Sequence, residues 1–500
     1  MDPFTSQFFV LTLALVGVVI IIAALLSGLI DRADIPQVGV FLALGAIVGP
    51  AGLQLLDVSL DSPILRVVAT LSLVLVLFTD AVSLSVAEVG RHRFLTFLVL
   101  GPGTLLSVVL IALAAWWLLD LSVHSAAMIG AALASTDPVM LRGLLKRPNL
   151  PQPVRLALRL ESGLNDIVLL PIILGTMALL SHREFFGVDS ARLGLELFLL
   201  GPGAGVAVGL LALGALELVR RKTGVRRDYE SLYSLGVAFA AYAAAEAVHG
   251  SGFLAAFCAG ATIAALDVEL CDCFLEYGQT TAEMTLLFTF ILFGSSLIWQ
   301  GLLALDLTTL LFAVAVVLIR PVVFFLSLTA TRLDQHSRLL IAWFGPRGLS
   351  SLLLILIPVF AAVPGTQRLF VICCLVVLLS VALHGGSLML LRRDGKDSIG
   401  RKQQAPVNAT LTAAAVATLD TEALPDAPVR NDGDLISVEE LHKLQSEGAP
   451  VLVVDVRSEP SFNSSPFLAR GALRIPPDQV PRRITELKIP RQSWIVAFCA

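Results

Sequence analysis

Charge is scarce in this sequence. Asp, Glu, Lys and Arg together make up 15% of its 500 residues, where a soluble domain carries about 25%. Hydrophobic residues reach 56% and fall in long runs, which excludes an ordinary soluble architecture for most of the chain. Cysteine is sparse as well: Cys258, Cys271, Cys273, Cys373, Cys374 and Cys499 are scattered, several inside apolar runs, so no disulfide framework is legible. Cys271 and Cys273 form a C-x-C in an acidic loop, but no second Cys or His pair accompanies them, and a metal site is not expected. A nucleophile–His–acid pattern is missing too, so an enzyme reading of the apolar region finds no support. No cofactor and no nucleic-acid partner is expected. The net charge of −4 says little, because where the charges sit matters more than their sum.

The N-terminus lacks a basic n-region, and the apolar run from Phe8 to Ile30 is too long for a typical signal-peptide core. It reads as a first membrane span.

What the sequence does have is a series of such runs. About 20 apolar residues cross the roughly 30 Å hydrocarbon core as a helix, and lipid forbids unsatisfied backbone. About thirteen candidates centre near residues 18, 46, 74, 107, 134, 168, 205, 239, 261, 290, 317, 351 and 379. The expected fold class is therefore an all-α polytopic membrane protein over residues 1–392, in the lipid bilayer. Arg91 and Arg93, Lys146 and Arg147, Arg220 to Arg227, Arg332 and Arg338, and Arg392 to Lys402 all follow odd-numbered spans. Positive charge marks the cytoplasmic side. The N-terminus is thus expected outside and the C-terminal tail inside, most simply in a plasma (inner) membrane. The acidic loop Asp267 to Glu283 runs against the pattern, but acidic residues contribute little to orientation.

Charged residues at bilayer depth cost about 2.5–3.5 kcal/mol on insertion scales and mark function by default. Ser135-Thr136-Asp137-Pro138 interrupts the fifth span: Pro138 removes a backbone donor and disfavours helical geometry at Asp137. Asp137 reads either as an N-cap of the second half-helix or as part of a transport site, and the two are compatible. In Glu161-Ser162-Gly163-Leu164-Asn165-Asp166, Ser162 and Asp166 share one helix face, while Glu161 and Asn165 share the next. The two acids are expected to meet different partners; the alternative is a polar helix end with both solvated. Gly345-Pro346-Arg347-Gly348 breaks the twelfth run, and Arg320 lies late in the eleventh. Paired interrupted segments in two halves of a chain point to a transporter site built from inverted repeats. Asp80, near the end of the third span, is expected to cap that helix or sit at the headgroups.

Over residues 8–392 these motifs, in this order, resemble the monovalent cation:proton antiporter family, the group that contains the sodium/proton exchangers. The resemblance implies a homodimer, with a core domain holding two crossed, broken helices and a separate dimerisation domain. It implies that Asp166 binds Na+ or K+ and H+ in turn. Asn165, Ser162, Thr136 and Asp137 would surround it, Glu161 would pair with Arg320, and Arg347 would offset helix ends at the crossing. Asn165-Asp166, in place of two adjacent acids, resembles the electroneutral branch; Gly163-Leu164 is a departure from the family pattern. A free aspartate, with a pKa near 3.9, almost never carries a proton at neutral pH, so competition between proton and cation is expected only where burial has desolvated the carboxylate.

Residues 393–433, rich in Ala, Thr, Asp and Pro, read as a flexible linker. Residues 434–500 change to soluble α/β character, with strands expected at Val451 to Arg457 and Trp494 to Cys499. Asp455-Val456-Arg457, Gly471-Ala472 before Ile475-Pro476, and the strand into Cys499 resemble part of a rhodanese-like domain. The resemblance makes Cys499 the counterpart of a persulfide-carrying cysteine. This sequence ends at Ala500, before the loop that would cradle it, so sulfur transfer is not expected.

Two rivals remain. A potassium channel or uniporter would need a carbonyl-rich Gly repeat as its filter, and none is visible. A membrane anchor serving the tail has no use for five buried charges.

Overall fold

The computed structural model describes most of residues 37–399 (the longer gaps are 182–193, 195–198, 223–226 and 267–271) and three short pieces beyond them, 451–457, 472–475 and 494–498. The chain divides into two units, Met1–Gly395 and Lys396–Ala500. The run Phe8 to Ile30 apart from Gly17, Ile21 and Leu25, the tail residues 400–433, the side chains of Cys271 and Cys273, and Cys499 lie outside the described residues.

The first unit is helical. Its principal elements are α1 (Gln37–Val48), α2 (Pro63–Val82), α4 (Val123–Ala134), α5 (Pro138–Leu145) and α6 (Gln152–Ser181), with the long rod α3 (Arg93–Leu119) between α2 and α4. Then come α7 (Gly201–Lys222), α8 (Arg227–Ala247), α9 (Gly252–Ala265), α10 (Asp272–Leu292), α11 (Leu307–Ser327), α12 (Gln335–Trp343), α13 (Leu349–Phe360) and α14 (Thr366–Ile399). Among the described residues, seven helices are long and apolar enough to cross a membrane, and four shorter apolar ones accompany them. Each span expected from the second onward coincides with a helix or with a broken pair, α4/α5 or α12/α13. The stretches near 239 and 261 are two helices, α8 and α9. Helix α14 continues through Ile399, into the stretch read as linker.

Helix starts follow local chemistry. Pro63 opens α2, where its missing N–H is no loss. Ser122 accepts from Ser125 N at the start of α4, and Asp306 with Thr309 forms a capping box before α11. Hydrogen bonds from the Thr309 side chain and backbone hold the Asp306 carboxyl below the usual carboxylate range.

The helices form two packed groups. Helices α7, α8, α9 and α10 pack with one another and with α1 and α2, making a scaffold. Helices α3, α4, α6, α11, α12 and α13 pack into a bundle, and α1 and α2 meet it along α5, α6 and α13. Small residues set the closest approach in the scaffold: a Cβ on Gly205 of α7 would run into the Ala255 backbone of α9.

In the second unit, β1 (Val451–Asp455) is central in a three-stranded parallel sheet, between β2 (Leu473–Arg474) and β3 (Trp494–Phe498). Arg457 Nη2 lies 2.6 Å from Asp455 Oδ2 at the end of β1.

Gly205→Val should push α7 off α9 and destabilise the scaffold by about 1–3 kcal/mol, the usual range for overpacking. A lowered thermal-unfolding midpoint of the detergent-solubilised protein is the expected outcome.

Candidate functional site

Two broken helices meet at one carboxylate. Helix α4 ends at Ala134 and α5 begins at Pro138, while α12 ends at Trp343 and α13 begins at Leu349. Asp137 N donates to Pro346 O at 2.9 Å, which ties the two breaks together. Asp137 Oδ1 accepts from Val139 N (2.8 Å), at the start of α5, and Oδ2 accepts from Leu349 N (2.8 Å), at the start of α13. One carboxylate therefore caps two half-helices and faces the positive ends of both dipoles. The approach is close: a Cβ on Gly348 would collide with the Asp137 carboxylate, so that position tolerates only glycine.

The opposite ends of the breaks present carbonyls, and two arginines meet them. Arg347 Nη1 donates to Ala134 O (2.7 Å) and Ser135 O (2.9 Å), closing the end of α4. Arg320 Nη1 donates to Ile341 O (3.1 Å) and Ala342 O (2.5 Å), closing the end of α12. Its Nε and Nη2 form a fork on Glu161, at 3.1 Å to Oε1 and 2.6 Å to Oε2. Thr136 Oγ1 donates to the same Glu161 Oε1 at 2.8 Å. Arg320 and Glu161 are each 2% exposed, and the guanidinium stacks over Phe324 at 4.3 Å. A Cβ on Gly345 would strike the Arg320 guanidinium, which explains the second glycine of the motif.

Asp166 on α6 stands apart. It is 6% exposed, and the hydrogen bond to it among the described residues is from Ser135 Oγ at 3.4 Å. Neighbouring Asn165 is 1% exposed, and neither its Oδ1 nor its Nδ2 has a partner. Ser162 Oγ makes a long bond to Arg159 O at 3.4 Å. The structure thus brings Thr136, Asp137, Glu161, Arg320 and Arg347 into one hydrogen-bonded crossing, in which Arg347 Nη2 has no partner, and leaves beside it Asn165 with both polar atoms unmatched and Asp166 with one long hydrogen bond. Among the described residues, no His, Cys, Asp and Glu group is arranged to hold a metal ion.

Sequence reasoning missed three contributors. Ser135 is the hydroxyl that reaches Asp166; its place in the broken run was visible, its direction was not. Ser380 and His384 on α14 brace the second break from both sides. Arg347 N donates to Ser380 Oγ (2.7 Å), His384 Nδ1 lies 3.2 Å from that oxygen, and His384 Nε2 lies 3.1 Å from Trp343 O. A lone His in an apolar run was the available signal. Asp80 is also placed differently from expectation: it is half-buried on α2, within electrostatic range of Asp166 and Asp137.

A bundle of membrane-length helices, with two broken helices crossed at a buried carboxylate and a second acid beside them, defines a multi-pass membrane protein with a buried polar centre. The chain belongs to the sodium/hydrogen exchanger transmembrane family, which residues 17–392 match. It is accordingly a multi-pass integral membrane protein. The K(+)/H(+) antiporter NhaP2 of Shewanella sp. (strain MR-4) is 28% identical over 383 residues, which cover 75% of this chain and 65% of that protein. This chain therefore matches just under two thirds of that relative's length. The K(+)/H(+) antiporter NhaP of Alkalimonas amylolytica is 24% identical over 427 residues, 84% of this chain and 73% of its own. Among solved structures, the sodium proton antiporter MjNhaP1 of Methanocaldococcus jannaschii superposes with a TM-score of 0.62 at 21% identity, over 77% of this chain and 99% of that one. At that identity the likeness establishes the fold.

Removing one member of the buried pair strands the other. Arg320→Gln should cost about 3–5 kcal/mol of stability, read as lost thermal stability and poor recovery from detergent. The double variant Glu161→Gln/Arg320→Gln should regain part of that loss, because no charge is left uncompensated.

Proposed function

We propose that this protein is a secondary antiporter that exchanges a monovalent cation, sodium or potassium, for a proton, with Asp166 binding each in turn. The observation that carries the reading is a contrast at the crossing. Asp137, Glu161 and Arg320 are held by hydrogen bonds of 3.1 Å or less, whereas Asp166 has only the 3.4 Å contact with Ser135. A buried carboxylate held by a single long hydrogen bond is costly. A monovalent cation or a proton neutralises it equally well.

Asn165 supports the same reading, because its unpartnered carbonyl oxygen is a suitable hard ligand for an alkali cation. Ser162 and Thr136 offer hydroxyl oxygens nearby in sequence and fold. Asp137, already capping two helix starts, adds negative charge at the rim. Glu161–Arg320 and Arg347 hold the frame and do not change partners during exchange. The printed names of the curated relatives, K(+)/H(+) antiporters, agree with this substrate class.

Alternating access then follows from charge. Occupied by Na+, K+ or H+, the site is neutral and can cross. Empty and ionised, it would carry a bare charge through hydrocarbon, at about 2.5–3.5 kcal/mol or more. That penalty couples the two fluxes. One carboxylate trading one cation for one proton makes the exchange electroneutral. The reading includes a homodimer, and the basic odd-numbered loops support an outside N-terminus and a cytoplasmic tail. For residues 434–500 it includes a partial rhodanese-like segment, which rests on the sequence motifs Asp455-Val456-Arg457 and Gly471-Ala472 alone.

Dissipation of a pH gradient in everted vesicles, with sodium and potassium added separately, tests the function. A cation-dependent signal that disappears in Asp166→Asn, at unchanged protein level, is the expected result; persistent proton-coupled flux in that variant would sink the assignment. Competition also fixes a sign: the cation concentration for half-maximal exchange should rise as pH falls, by up to tenfold per pH unit at the acid end.

A further inference from the structure

Between the bundle and the scaffold, one ion pair is present among the described residues. Arg142 on α5 meets Glu283 on α10 through Nη1 and Oε1. The other described ion pairs each lie within one group or one strand end: Arg320–Glu161 in the bundle, Arg221–Glu217 along α7, and Arg457–Asp455 in the tail.

The position of this pair sets it apart. Helix α5 starts directly after the Asp137 break, so Arg142 sits little more than one turn from the carboxylate that joins the broken helices. Asp80, near the end of α2 in the scaffold, and Asp137 both act on the Arg142 guanidinium electrostatically. Asp80 in turn feels Asp166. Both side chains of the pair are one third exposed (33% each).

Partial exposure matters to the role. A pair open to water is screened and weak, and it contributes little to holding the fold. A weak attraction across a sliding boundary can still bias which of two arrangements is favoured, because such a bias needs only a differential contact between them. Helix α5 meets scaffold helix α1 and bundle helix α6, and its Val139 and Met140 belong to the main apolar core. The Arg142–Glu283 pair adds a directional, breakable tie to an otherwise apolar slip surface.

We propose that Arg142 and Glu283 form a latch that closes the α5 side of the Asp166 site, opening and re-forming once in each transport cycle. In the closed arrangement the guanidinium sits among Asp80, Asp137 and Glu283, in place of a substrate cation. When the bundle shifts against the scaffold the pair parts, and Asp80 and Glu283 then become available to cations on that side. The inference rests on the exchanger reading, and it identifies the boundary that moves.

A crosslink tests it. The double variant R142C/E283C, made in the full chain, is oxidised in everted vesicles and assayed for cation-dependent pH-gradient dissipation. R142C and E283C alone serve as controls for the native cysteines. The expected result is a crosslink on non-reducing gels, at least a tenfold loss of exchange, and recovery on reduction. An oxidised, crosslinked protein that exchanges as fast as the reduced one overturns the latch, as does an actively exchanging double variant that does not crosslink. Should the reduced double variant be inactive, the charge swap R142E/E283R decides. Exchange at least fivefold above R142E alone supports the pairing, and no gain overturns it. A wild-type protein silent with both cations would refute the exchanger reading itself, whereas an active crosslinked protein refutes only the latch.

Discussion

Four helix ends meet in the middle of an apolar bundle, where no water is available to satisfy them, and the organisation of the bundle follows from how they are satisfied. Each break leaves N–H groups on one side and carbonyls on the other. In hydrocarbon these cannot be left open. Asp137 answers both sets of N–H groups with one carboxylate. Arg347 and Arg320 answer the carbonyls, one guanidinium at each end. Glu161 then balances Arg320. Two cations and two anions of the crossing are thus accounted for by structure alone. Asp166 is the charge left over, and a left-over charge at this depth is what an exchanger can use.

Much of this was legible in the sequence because breaking a membrane helix requires unusual residues. Asp137-Pro138 and Gly345-Pro346-Arg347-Gly348 stand out in apolar runs for the physical reason that they are needed: proline to stop the ladder, glycine to admit the Asp137 carboxylate and the Arg320 guanidinium. The partnership of Glu161 with Arg320 followed from resemblance and from the rule that buried charges pair. Less legible was the sharing of Asp137 between two helices, since its second client, Leu349, lies far away in sequence. Asp80 and Arg142 were harder still. Each sits near a helix end, where a charged residue reads as bordering a loop, and only the folded structure brings Arg142 to Glu283 and within electrostatic range of Asp80. Of the thirteen spans expected, those from the second onward fall on helices or broken pairs, and seven helices among the described residues have membrane length. The short helices α8 and α9 matched the expectation because both are strongly apolar, even though neither carries an apolar stretch of full membrane length.

The two helix groups are held by different means. Within the scaffold, glycine and alanine bring backbones close, as Gly205 does against Ala255. Within the bundle, buried hydrogen bonds to Arg320, Arg347 and His384 tie α4, α11, α12 and α14 to the crossing. The bundle is therefore cross-braced by directional bonds and resists internal shear, while its boundary with the scaffold is mostly apolar and has little directional preference. Motion is cheapest along that boundary.

A shared acceptor has a consequence for how such a chain changes over generations. Residues 134–139 and 344–349 are about two hundred positions apart, yet they draw on one carboxylate and one close approach, at Gly348. A substitution in either stretch alters the geometry available to the other, so neither can drift alone. The two segments form a single heritable unit split across the sequence. Chimeras that exchange one half of the bundle between distant relatives would have to carry both stretches together to keep the crossing closed.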